Sequence, residues 1–157
     1  MQIRGLTDYD IVNYKKPALF IAFPYCTFKC DKECGHEVCQ NSSLAREPIL
    51  IANTHTLLEI YERNPLTHAL VCGGLEPFDS KDDLYVLLDR FRRRSNDDVI
   101  IYTGYTEEEL INEIPKIKSF GNIIIKFGRF IPNRPNRYDE ILGVTLASDN
   151  QYAKYYE

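Results

Sequence analysis

The stretch Ala18–Ser42, ALFIAFPYCTFKCDKECGHEVCQNS, runs from an apolar hexamer into four closely spaced cysteines, Cys26, Cys30, Cys34 and Cys39. Ala18–Phe23 is continuously apolar with Pro24 behind it, the pattern of a short strand buried on both faces. Cysteines that merely fill a core would be scattered along strands and helices, yet four of the chain's five stand within fourteen residues. Such density points to a metal or iron–sulfur site. A loop leaving the C-terminal end of a strand is also where α/β proteins gather their active sites, because connecting loops collect at the carboxyl edge of a parallel sheet.

Outward from this stretch, strand and helix patterns alternate. Residues 1–17 carry little periodicity and read as an arm packed across the domain. Asn53–Arg63 places Leu57, Leu58 and Tyr61 on one helical face and closes at Asn64-Pro65. Ala69–Cys72 is a second strand running into Gly73-Gly74-Leu75-Glu76-Pro77-Phe78. Ser80 is a candidate cap for a helix with Leu84, Leu87, Leu88 and Phe91 at the spacing of a buried stripe. Val99–Thr103 is a third strand. Thr106 and Glu109 form a capping box for a third helix, with Leu110, Ile111 and Ile114 facing inward until Pro115 weakens it. Asn122–Phe127 is a fourth strand and Ile141–Leu146 a fifth, separated by the polar loop Asn133–Arg137. The alternation predicts an α/β fold with a mainly parallel sheet. Four or five strands cannot close an eight-stranded barrel, so the expectation is a partial, open (β/α) barrel.

At 157 residues the chain is read as one domain, with an arm over 1–17 and a cysteine loop over 24–42. A formal charge of −4 argues against a general nucleic-acid partner. The one basic cluster, Arg90 and Arg92–Arg94, falls at a helix end where it complements the dipole. No basic segment leads into an apolar run at the N-terminus, and Ala18–Phe23 is too short to span a bilayer, so no membrane association and a cytoplasmic location are expected. Reduced thiols in that compartment favour metal over disulfide. Cys72, inside an apolar strand, reads as a buried core residue. His55 and His68 have no partner spacing, and His36 reads as a solvated loop residue. No Ser/His/Asp arrangement, phosphate-binding loop or zinc-protease helix is present, which leaves hydrolysis without a basis.

Thiolates are the usual ligands of iron–sulfur clusters, and three of them leave one iron of a four-iron cubane open to substrate. Cys26 and Cys30 stand at a CxxxC spacing. Gly73-Gly74-Leu75-Glu76-Pro77, Tyr102-Thr103-Gly104-Tyr105-Thr106, Gly128-Arg129-Phe130 and Ser148-Asp149-Asn150-Gln151 follow in order. Together they resemble the radical S-adenosylmethionine enzymes, specifically the small activating proteins of anaerobic ribonucleoside-triphosphate reductases. The resemblance covers nearly the whole chain, with the Gly-Gly-Glu/Asp-Pro motif widened by one residue. In that family the cysteines follow CxxxCxxC with an aromatic residue and Asn behind them. Here Cys39-Gln40-Asn41 is most similar to that ending, which makes Cys39 the third cluster ligand and 31–38 a connection containing an insertion. Cys34 is the alternate.

The resemblance implies a 4Fe-4S cluster on Cys26, Cys30 and Cys39, with S-adenosyl-L-methionine held by Gly73, Gly74, Glu76, Pro77, Thr103, Tyr105 and Asn41. It implies reductive cleavage to a 5'-deoxyadenosyl radical, a low-potential electron donor, and a large glycyl-radical enzyme as partner. Arg129 is read either as a ligand or partner contact or as one half of a structural ion pair. A reading from a different class is a non-enzymatic module whose four loop cysteines close around zinc or a redox cluster. A radical enzyme with another target is a third.

Overall fold

The computed structural model describes all 157 residues. In chain order the elements are β1 (Gln2–Ile3), β2 (Gly5–Asp10), β3 (Ala18–Phe23), α1 (Lys29–Cys34), α2 (Ser42–Ala45), β4 (Leu50–Ile51), α3 (Thr54–Arg63) and β5 (Ala69–Gly74). A 3-10 turn (Pro77–Ser80), α4 (Lys81–Arg92), β6 (Asp98–Tyr102), α5 (Ile114–Lys118), β7 (Ile123–Phe127), β8 (Arg137–Asp139), β9 (Val144–Leu146) and β10 (Tyr152–Tyr156) complete it.

The apolar hexamer forms the strand its composition predicts, and its burial on both faces follows from its place inside the sheet. The six-stranded sheet has the order β10-β7-β6-β5-β3-β2. Its four central strands, β3, β5, β6 and β7, are parallel, with Phe23 opposite Gly74 and Cys72 opposite Ile101. Strands β2 and β10 close the two edges antiparallel. The chain is thus mixed α/β with a mostly parallel central sheet.

Side-chain alternation splits the core into two layers. On one face Leu70, Cys72, Val99, Ile101, Ile123 and Ile125 pack against Leu57, Leu58 and Tyr61 of α3 and Leu84, Leu87, Leu88 and Phe91 of α4. On the other, Val71, Ile100 and Ile124 pack against Tyr14, Leu142 and Leu146, which come from the two ends of the chain. Parallel strands so arranged bring the C-terminal ends of β3, β5, β6 and β7 to one edge, with the cysteine loop directly above it.

Four expectations need correction. The N-terminal arm is a pair of strands: β2 pairs with β3, and β1 with β4. Ser80 makes no capping bond and its hydroxyl is buried without a partner; the Glu76 side chain caps the 3-10 turn ahead of it instead. Both bonds of the Thr106–Glu109 capping box form, at 2.9 and 3.2 Å, but a series of turns follows and Ile111 is exposed. Helix α5 begins only at Ile114, with Pro115 in its first turn, where a missing N–H costs nothing. The stretch 141–146 enters no main-sheet strand; its second half pairs with β8 in a separate hairpin, and β10 takes the sheet position instead.

Candidate cluster and ligand site

The cysteine loop is sewn to the sheet edge by backbone. Leu75 donates to the Phe23 carbonyl at 3.4 Å and Glu76 to the Tyr25 carbonyl at 2.8 Å, so the loop starts against the glycine motif. The Thr27 N–H donates to Asp79 Oδ2 at 3.0 Å. Phe28 then adopts a left-handed backbone, φ 53°, unusual for a residue with a side chain, and turns the chain into α1.

Below the loop lies a cavity of about 320 Å³. Cys26, Cys30 and Cys39 line it; Cys34 does not. The Cys26 sulfur accepts the Phe28 N–H at 3.2 Å. Burial pushes the Cys26 thiol up to about 11 and raises Cys30 and Cys39 as well, while the backbone amides of Phe28, Phe130 and Asn41 pull the other way. Metal binding here therefore displaces protons from three half-buried thiols. No three His, Cys, Asp or Glu side chains converge closely enough to hold a single ion. A cubane, which binds one thiolate at each iron, accepts thiols set around a wall in this way.

The opposite wall is the end of β5. Gly74 has φ 85°, and a Cβ there would stand 2.7 Å from Ala22 Cα, so only glycine fits where β5 passes β3. Its carbonyl accepts from the Asn41 side chain at 2.8 Å, which joins the cysteine loop to the glycine motif. Glu76 is buried, and its carboxylate accepts from Phe78 N–H (3.1 Å), the Thr103 hydroxyl (2.8 Å) and Gly104 N–H (2.9 Å). One carboxylate therefore ties the end of β5 to the end of β6. Burial nonetheless raises it to about 7, the three donors only moderating the shift.

Gly73, Gly74, Glu76, Thr103 and Asn41 all line the cavity. Pro77 is buried in the 3-10 turn, away from the wall. Tyr105 faces a second, smaller recess with Cys26, Cys30, Lys29 and Arg129, and its hydroxyl bonds Asp79 at 2.5 Å. Arg129 is held structurally. It donates to Glu109 at 2.6 Å, and its Nε lies 3.2 Å from the Glu33 carboxylate in an ionic approach without hydrogen-bond alignment. Arg92, in the basic cluster, donates to backbone carbonyls of Ser95, Asp97, Phe120, Gly121 and Asn122, so it pins turns rather than facing a ligand.

The residue that sequence reasoning passed over is Lys126. It lies in the apolar strand β7 on the same face as Ile124, lines the cavity, and is 7% exposed. Its ammonium donates to the Gly128 carbonyl at 2.9 Å and has no carboxylate within ion-pair distance. Burial lowers it to about 8, with Glu76 and Cys30 opposing the shift. The signal was a charge inside an otherwise apolar pentamer. Gln151, from the C-terminal motif, and the β9 segment also line the cavity, beside Val12 and Asn13 from the N-terminus.

A four-cysteine loop at the sheet edge, with three of its sulfurs on one cavity, is a donor set suited to an iron–sulfur cluster. A family model described as the 4Fe-4S single cluster domain matches residues 17–151, and the chain belongs to that family. No curated protein and no solved structure matches the chain. No helix is long and apolar enough to cross a membrane.

Proposed function

We propose that this protein is a radical S-adenosylmethionine enzyme that generates a glycyl radical on a larger partner enzyme, as the small activating proteins of anaerobic ribonucleotide reductases do. The observation that carries the reading is the meeting, around one cavity, of three cysteines, Asn41 and the Gly73-Gly74-Leu75-Glu76 edge. A cavity of about 320 Å³ is within the range of small-ligand sites. Its wall holds three thiols and no fourth cysteine, which suits a cluster with one open iron.

When bound, a reduced cluster supplies the electron that cleaves S-adenosylmethionine to methionine and a 5'-deoxyadenosyl radical. The chain's own residues bind and orient. Cys26, Cys30 and Cys39 would hold three irons, and the Phe28 N–H would stabilise negative charge on the Cys26 sulfur. Gly73 and Gly74 present backbone without side chains, so a ligand amino group can reach their carbonyls. Glu76 keeps that edge in register with Thr103 and Gly104. Lys126 places a positive charge on the cavity wall, and β9 together with Val12 and Asn13 lines its opposite side.

The test is anaerobic reconstitution with iron and sulfide, reduction by dithionite and assay for 5'-deoxyadenosine, beside Cys34→Ala and Cys39→Ala. We expect product from the wild type and from Cys34→Ala, and a loss of about 10²-fold or more in Cys39→Ala. A reconstituted four-iron cluster without any cleavage would sink the proposal.

A further inference from the structure

Eight residues separate Cys30 from Cys39, and nothing apolar holds the second of them, since no residue between Tyr25 and Asn53 is buried. A connection of that length, left free, would spread Cys39 over many positions. Its path is nevertheless specific. From Cys30 the chain completes α1 and reverses at Gly35, whose φ is 74° and whose N–H donates to the Asp31 carbonyl at 2.9 Å. It then returns to its own start, where Oδ1 of Asp31 accepts the N–H of Val38 at 2.7 Å and of Cys39 at 2.8 Å.

We propose that Asp31 is a positioning residue: its carboxylate closes the inserted segment into a ring and delivers Cys39 to the cavity beside Cys26 and Cys30. This rests on the reading above that Cys39 is the third ligand. Asp31 is bonded covalently to one ligand and by hydrogen bond to another, so a single carboxylate spans both. The two bonds are charge-assisted, which makes them the strong members of the loop. The segment's other side-chain contacts, Glu33 with Arg129 at 3.2 Å, His36 with the Cys34 carbonyl at 3.0 Å and Glu37 with Arg46 at 3.4 Å, are formed by solvent-exposed side chains of the segment and contribute less. The ring also accounts for Cys34. It sits at the far end of α1, on the outgoing arm, and is carried away from the cavity that Cys39 enters.

The experiment compares full-length wild type, Asp31→Ala and Asp31→Asn in two states. In the cluster-free state, iodoacetamide labelling is followed at each cysteine by peptide mass spectrometry. Asp31→Ala should raise the rate at Cys39 about tenfold relative to Cys26 and Cys30, and Asp31→Asn by less, because an amide oxygen still accepts one or both N–H bonds. In the reconstituted state, iron per chain and the cluster's electron paramagnetic resonance signal should fall in Asp31→Ala toward those of Cys39→Ala. The double variant should be no worse than Cys39→Ala alone. Unchanged labelling at Cys39, an equal rise at every cysteine, or a full cluster in Asp31→Ala would each overturn the proposal. Should Asp31→Ala not fold, the smaller effect of Asp31→Asn on Cys39 alone decides in the same way. A wild type that binds no cluster while Cys39 labelling still responds to Asp31 would leave the positioning intact and remove the radical-enzyme reading.

Discussion

The cavity has two walls held by different physics. The sheet wall, from Ala69 to Phe78, is buried except at Gly74 and Leu75. It is fixed by the parallel pairing of β3, β5 and β6 and by the Glu76 carboxylate between two strand ends. The loop wall, from Tyr25 onward, has no buried residue and stands on polar contacts: Thr27 to Asp79, Asn41 to Gly74, Lys29 to Glu109 and Glu33 to Arg129. Apolar burial makes the first wall rigid before any ligand arrives. The second has little to hold it but hydrogen bonds, each of modest net worth, and so gains most from a bound cluster.

Three substitutions sharpen this contrast. The largest effect is expected from Gly74→Val, which puts a branched side chain at φ 85° with its Cβ 2.7 Å from Ala22 Cα. Strain and overpacking together should cost about 3–5 kcal/mol and lower Tm by roughly 10 °C. A wild-type Tm would mean that the sheet wall is softer than its packing implies.

Glu76→Gln comes next, because an amide presents a donor where Gly104 N–H needs an acceptor; the expected cost is about 1–3 kcal/mol at neutral pH or below. It should also change the pH profile. Burial raises the Glu76 carboxyl from 4.5 to about 7, so the folded chain keeps a proton that the unfolded chain releases. The contribution of this group is present in full below 4.5 and is lost as pH rises to about 7. Urea unfolding of the cluster-free protein should show that downward slope in the wild type and a flatter profile in Glu76→Gln. Equal slopes would assign the titration to another group.

The smallest global effect is expected from Arg129→Met, which removes the cation that Glu33 of the loop meets at 3.2 Å. Unfolding free energy should change by about 1 kcal/mol or less, while amide exchange across 27–40 accelerates. Exchange that stays slow there would show the loop wall to be as firm as the sheet.

How much of this was legible in the sequence follows the same division. Ala18–Phe23 and Ala69–Cys72 could be read directly, since a continuous apolar run needs burial on both faces and fits only a central strand. The cysteines and glycines were legible as a site because few structural roles ask for such residues together. Strand β2 was not, because GLTDYD is mostly exposed and owes its conformation to pairing with β3. The Thr106–Glu109 box was read correctly but cannot say how many turns follow it; Pro115 and tertiary packing placed the helix later. Asp31 gave no pattern at all. Its role is a contact across a ring, visible only when the loop is closed.

The composition of the cavity also sets an order of events. Its thiols lie near the start of the chain, whereas β9 and Gln151, which wall it, lie near the end. During synthesis at roughly 5–20 residues per second, Cys26, Cys30, Cys34 and Cys39 emerge about 5–20 s before that wall exists. For that interval the four sulfurs lack that wall and are open to one another or to an oxidant. Maturation of this protein is thus a race between finishing the chain and losing its thiols, and the surroundings in which it is made bear on its yield as much as its final stability does.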